Sequence, residues 1–123
     1  MGMNVITARM FPGADFFQLR SDRDNEYLAF SRVTRHFQQA VDTADRNQMI
    51  LAARLNIDLW TALAADLAQP GNGLPDQTRS GLISLAIFSI KSSHRILSED
   101  ACPRPLMDIN LRVMKGLRGD LGE

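Results

Sequence analysis

The stretch Asn56–Arg79, NIDLWTALAADLAQPGNGLPDQTR, decides the fold. Its first half is helical in pattern. Ala52, Asn56, Leu59, Leu63 and Leu67 recur at spacings of three and four, with Met49, Ala53 and Trp60 widening the stripe. Pro70 disfavours helical backbone at Gln69, and Pro70-Gly71-Asn72-Gly73 makes a dense turn signal. Pro75 then suits the first position of a new helix, where its missing N–H would be unpaired anyway. So short a connection folds two long helices back antiparallel.

Working outward, the third helix spans about 75–98. It contains Leu82, Ile83, Leu85, Ala86, Ile87, Phe88 and Ile90, apolar on nearly every side. That pattern predicts a central helix. A strand over ISLAIFSI is disfavoured, because its flanks carry helix caps and no strand partners. The second helix spans about 43–69, with Thr43 as its cap. A first helix over about 24–41 presents Tyr27, Phe30, Thr34, Phe37 and Val41 on one face, capped by Ser21 or Asp22. After a linker with Pro103 and Pro105, a fourth helix over about 105–117 carries Leu106, Ile109, Val113 and Leu117, with Asn110 and Met114 beside them. The fold class expected is all-α, a small bundle of about four helices built on the hairpin of the second and third. Residues 21–118 form the single helical domain, preceded by a flexible apolar segment over 1–20.

Composition bounds the function. The 123 residues are 45% apolar and 23% charged, which fits one soluble globular domain. Lys+Arg and Asp+Glu balance at 14 each, so neither nucleic acid nor a membrane surface is expected as a partner. One cysteine, Cys102, forms no internal disulfide and fits a reducing, cytoplasmic address. No apolar run approaches the roughly 20 residues of a membrane helix.

The chemistry searches end without a site. His36 and His94 lie on different helices without metal-ligand spacing, Cys102 has no histidine beside it, and Gly71-x-Gly73 lacks a preceding strand. No enzyme, metal or cofactor is expected. Asn56 and Asn110 stand out because each lies on an apolar stripe. A buried Asn must be hydrogen-bonded or it costs about 1–3 kcal/mol, so each is expected to be bonded and to fix helix register, with direct contact to a partner as the alternative.

The ordered pattern Asn56, Leu59, Trp60, Thr61, Leu63, Asp66, Asn72, Leu74, Pro75, Arg79, then Leu82 to Ala86, Phe88, Leu106, Ile109, Asn110, Gly116 and Leu117 resembles the flagellar biosynthesis regulator FlaF family. The resemblance implies a small helical cytoplasmic protein of alphaproteobacteria, needed for flagellin production and filament assembly. It also implies a functional link to a second regulator, FlbT, of opposing effect, and a flagellin-binding, export-chaperone-like role. A bundle with an open apolar groove would suit the amphipathic helices of a flagellin terminus. The expected lining is Trp60, Leu63, Ile109, Val113 and Leu117, with Phe16 and Phe17 covering the groove when it is empty. Ordinary core packing is the competing account of Trp60. Asn72 and Arg79 fit a role in the turn better than one in contact. A regulator that touches flagellin messenger RNA, or acts with FlbT without binding flagellin, is the alternative. A homo-oligomer is a further possibility for the surplus apolar surface.

Overall fold

The computed structural model describes residues 22–117. They form four helices: α1 (Asp22–Thr43), α2 (Arg46–Leu67), α3 (Asp76–Ser98) and α4 (Arg104–Leu117). Among the described residues there is no strand. The expectations for residues 1–20, including Phe16 and Phe17, lie outside the described residues, as does Ser21.

The helices run up, down, up and down. Contacts are most extensive between α2 and α3, then between α1 and α2 and between α1 and α4, while α3 and α4 meet only sparsely. The α2–α3 pair is the expected antiparallel hairpin. The central helix, however, is α2 and not α3. It buries nine residues, including Asn56, Leu59, Trp60, Leu63 and Leu67, whereas α3 buries only Ala86, Ser89, Ser93 and Ile96. Ala52, Ala53 and Ala62 explain the exchange: small and fully covered, they let helices close in on α2 from both sides.

The α1–α2 junction differs from the expected cap at Thr43. That residue is still in α1, where its hydroxyl donates to the Gln39 carbonyl at 2.9 Å. The chain ends α1 by placing Ala44 in the left-handed region at φ 51°. The Asp45 N–H then reaches the Ala40 carbonyl and the Ala44 N–H the Val41 carbonyl, the paired bonds of a Schellman ending. The Asp45 carboxylate turns forward and accepts from the N–H groups of Asn47 (2.9 Å) and Gln48 (3.3 Å), capping α2. One residue thus finishes one helix and starts the next.

At the other end, α2 stops at Leu67, two residues before Gln69. Asn72 holds the turn: its Nδ2 donates to the Asp66 carbonyl at 3.3 Å, and its Oδ1 accepts from the Leu74 N–H at 3.2 Å. Gly73 sits at φ 90°, where a side chain would be strained. Pro75 is the residue just outside α3, and its carbonyl accepts from Arg79 N–H at 2.9 Å. The open end of the hairpin is tied by Arg46, which donates to the Leu97 carbonyl at 3.2 Å and pairs with Asp100 at 3.5 Å.

The core stripe of α4 is also rotated from the expected one. Leu106, Met107, Asn110 and Met114 are buried, while Ile109, Val113 and Leu117 are only half-buried. Val41, expected on the inner face of α1, is exposed because it falls in the last turn, beyond the packed part of that helix.

The junction is testable by thermal denaturation. Asp45→Ala removes the cap of α2 and is expected to cost about 1 kcal/mol, lowering Tm by about 4 °C. Ala44→Gly relieves the left-handed backbone and is expected to leave Tm unchanged or raise it.

Candidate functional site

Two features were singled out from the sequence, the polar residues on apolar stripes and the apolar residues without an obvious place. The structure locates both. In the middle of the core, the Trp60 indole Nε1–H donates to Asn110 Oδ1 at 3.0 Å. Asn110 Nδ2 donates to Asn56 Oδ1 at 3.0 Å, and Asn56 Nδ2 donates to Ser93 Oγ at 3.0 Å. All four residues are fully buried. A single chain of hydrogen bonds therefore runs from α2 to α4, back to α2 and on to α3. Phe30 of α1 closes over Trp60 edge-on, with ring centroids 5.4 Å apart and planes at 78°. Every helix of the bundle touches this unit.

Trp60 and Leu63 are 0% and 2% exposed, so neither lines a surface groove. They belong to the core, with Leu59 and Leu106. Asp66, Asn72, Leu74, Pro75 and Arg79 build the α2–α3 turn. Arg79 there pairs with Asp76 at 2.7 Å, and Leu74 packs partly against the core. Gly116 and Leu117 close α4, both half-buried. The residues that carry the family pattern thus mostly build the scaffold.

The open surface lies between α3 and α4. Helix α3 turns its small and polar residues Ala86, Ser89 and Ser93 toward α2 and its large apolar residues outward. Leu85 is 36% exposed, Phe88 47% and Ile87 52%. Leu85 faces Pro105, Asp108, Ile109 and Arg112 of α4 across a cleft of about 310 Å³. A second hollow of about 240 Å³ continues from Pro105 past Phe88, Ser92 and Ala101 to Cys102. Together they make an apolar groove between sparsely touching helices, with Asp108 and Arg112 at one part and Arg95 at the other. Of the expected lining residues, Ile109 is on this groove. Val113 and Leu117 are half-buried on the same helix, packed on the core.

Leu85, Phe88 and Pro105 escaped the sequence reading. Leu85 and Phe88 belong to the apolar run whose pattern predicts a central helix, and Pro105 to the linker before the fourth helix. The discriminating signal was present in Ser89 and Ser93, which share a stripe with Ala86 and Ile96 and match the polar Asn56 on α2. A stripe that buries two serines marks the inner face, which leaves Leu85, Ile87 and Phe88 outside.

Elsewhere, α1 presents a shallow polar hollow of Arg32, Arg35, His36, Gln38, Gln39 and Asp42. Burial, then Arg32 and Arg35, hold the His36 imidazole below its ordinary value of 6.5. The folded state favours neutral His36, so its contribution to stability is present above pH 6.5 and is lost as pH falls through the lowered pKa. Among the described residues no three His, Cys, Asp or Glu side chains are grouped to hold a metal ion.

Three outcomes follow. Asn110→Ala strands the Trp60 indole N–H and the Asn56 carbonyl oxygen in the core, and urea denaturation should show a loss of about 2–5 kcal/mol. Ser93→Ala removes one acceptor at the end of the chain and should cost about 1–2 kcal/mol. NMR titration should place the His36 pKa below 6.5, and Arg35→Ser should move it upward.

No helix among the described residues is long and apolar enough to cross a membrane. No curated protein matches the chain, and no solved structure does. A family model described as flagellar protein FlaF matches residues 14–117, which takes in all four helices, the buried asparagine pair, the turn and the groove. The chain belongs to the FlaF family of flagellar proteins.

Proposed function

We propose that this protein binds flagellin in the cytoplasm as an export-chaperone-like helical protein, and so promotes flagellin synthesis or secretion. It is a binding protein in this reading and not an enzyme. The observation that carries the proposal is the α3–α4 groove. Leu85 and Phe88 stand outward on α3, opposite Pro105 and Ile109, in a chain of a flagellar family. An amphipathic helix laid between α3 and α4 would complete the packing that the sparse α3–α4 contact leaves open. Apolar anchors every three or four residues on the guest would meet Leu85, Phe88 and Ile109, while Arg95, Asp108 and Arg112 at the rim fix its direction.

Flagellin meets the chemical requirement, since its terminal segments are amphipathic helices that coil together in a filament. Covering such a segment keeps it from assembling early. A messenger RNA partner finds less support, because the chain carries no net charge to attract phosphate. Cooperation with FlbT is compatible with flagellin binding and needs no surface of its own in this account.

Calorimetric titration with monomeric flagellin tests the proposal. Phe88→Asp and Ile109→Asp should each weaken binding by about tenfold or more, the loss typical of a buried apolar anchor. Circular dichroism should show the helices intact in Phe88→Asp, because Phe88 is exposed. Thr61→Asp, on the exposed face of α2, should bind as the parent does. Equal affinity in all three variants would remove the groove from the account.

A further inference from the structure

The α2–α3 turn places Asn72 directly before Gly73, and no other asparagine of the chain is followed by glycine. An asparagine loses its side-chain amide when the next backbone nitrogen attacks its Cγ. Glycine, with no Cβ, obstructs that approach least. We propose that Asn72 is a site of spontaneous deamidation in the folded protein, with water as co-reactant, and that the product loosens the α2–α3 turn. The proposal is independent of the flagellin reading, because it concerns the scaffold's corner and not the groove.

Three observations place the reacting groups. Gly73 is exposed, and apart from its chain neighbours no atom lies within 4 Å of the place a side chain would take. Its N–H donates to no group among the described residues, so no hydrogen bond must break before the nitrogen reacts. The Asn72 side-chain carbonyl is polarised, since Oδ1 accepts from the Leu74 N–H at 3.2 Å. Negative charge develops on that oxygen during attack at Cγ, and a donor already held there stabilises it. The other asparagines among the described residues lack this arrangement. The Gln48 N–H, which follows Asn47, is bonded to Asp45 at 3.3 Å. Asn25, Asn56 and Asn110 lie inside helices, where the following N–H belongs to the helical ladder and the next residue carries a side chain.

Hydroxide takes the Gly73 amide proton, and the nitrogen attacks Asn72 Cγ. The N–Cγ bond forms, the Cγ–Nδ2 bond breaks, and Nδ2 takes a proton from water and leaves as ammonia. A cyclic imide remains. Water then adds to one of its two carbonyl carbons and opens the ring. Opening at Cγ gives aspartate, and opening at the backbone carbon gives isoaspartate. One water is consumed and one ammonia released, with no change of oxidation state. Either product disturbs the turn. Asn72 Nδ2 donates to the Asp66 carbonyl at 3.3 Å and stands 3.5 Å from Asp66 Oδ2. In the aspartate product an oxygen takes the place of Nδ2, so the donor is lost and a second carboxylate faces Asp66. In the isoaspartate product the main chain gains a methylene between residues 72 and 73, beside the Gly73 backbone that now sits at φ 90°.

Mass spectrometry of the full chain after incubation at mildly alkaline pH, with fragmentation of the 55–79 peptide, tests the proposal. Exchange of one ammonia for one water should appear at residue 72 while the near-UV circular dichroism of Trp60 is unchanged. Labelling by an isoaspartate methyltransferase should identify the isoaspartate product, and the rate should rise in proportion to hydroxide. Asn72→Gln, whose longer side chain closes the ring far less readily, should keep its mass. The converted protein should melt about 4 °C or more below the fresh one, for the lost bonds to Asp66. A full chain still intact at Asn72 when a free peptide of residues 68–77 has converted completely would overturn the proposal. Conversion confined to chains that have lost the Trp60 signal would also overturn it, assigning the reaction to the unfolded state. An unchanged Tm in the converted protein would overturn the loosening of the turn.

Discussion

Three hydrogen bonds at 3.0 Å hold the bundle in register: Trp60 to Asn110, Asn110 to Asn56, and Asn56 to Ser93. Each member is fully buried, so none has water as an alternative partner. Apolar packing alone would allow α2, α3 and α4 to slide or rotate by a residue at small cost, because one Leu resembles another. A buried amide does not allow this. A shift that breaks one link leaves a donor and an acceptor unpaired in the core, at about 1–3 kcal/mol for each group. The network acts as a register pin for the helices, as a single buried Asn does in a coiled coil. Phe30, set edge-on to Trp60, brings α1 to the same point.

That pin determines the surface. To present Ser93 to Asn56, α3 must turn its Ala86, Ser89 and Ser93 edge inward, and the same rotation carries Leu85 and Phe88 out. To present Asn110 to Trp60, α4 must bury the stripe of Leu106, Asn110 and Met114, which moves Ile109 toward α3. The apolar groove is thus a geometrical consequence of the polar core. In water it is costly, at roughly 25 cal/mol for each Å² of apolar surface left uncovered. Leu85, Ile87 and Phe88 remain on this exposed apolar face. It is the face on which the flagellin-binding proposal rests.

The sequence was legible where the signals were local. The Pro70–Pro75 turn, the long hairpin and the four-helix architecture are carried by residues close together in the chain, and the family resemblance by an ordered pattern from Asn56 to Leu117. Asn56 and Asn110 were recognisable as bonded polar residues, because a stripe position dictates burial. Their partners were not, since Trp60 and Asn110 are fifty residues apart and no local rule pairs them. Helix α3 was misplaced for a related reason. Its composition is that of a central helix, and only the pairing of its serines with Asn56 shows which side faces in. The cap of α2 was missed because Thr43 and Asp45 are both competent capping residues. The choice was made by the Schellman ending of α1, which uses Ala44 where glycine is usual.

The central claim is that one buried hydrogen-bonded chain fixes the helices, and the lone tryptophan reports on it directly. Hydrogen exchange of the Trp60 indole N–H, followed by NMR, gives a single resonance to read. The account predicts exchange as slow as that of the best-protected backbone amides of α2, since the indole N–H opens only when the bundle unfolds. Exchange of the indole N–H that is much faster than those amides would contradict it, because the Trp60–Asn110 link would then break without unfolding the helices it is held to join.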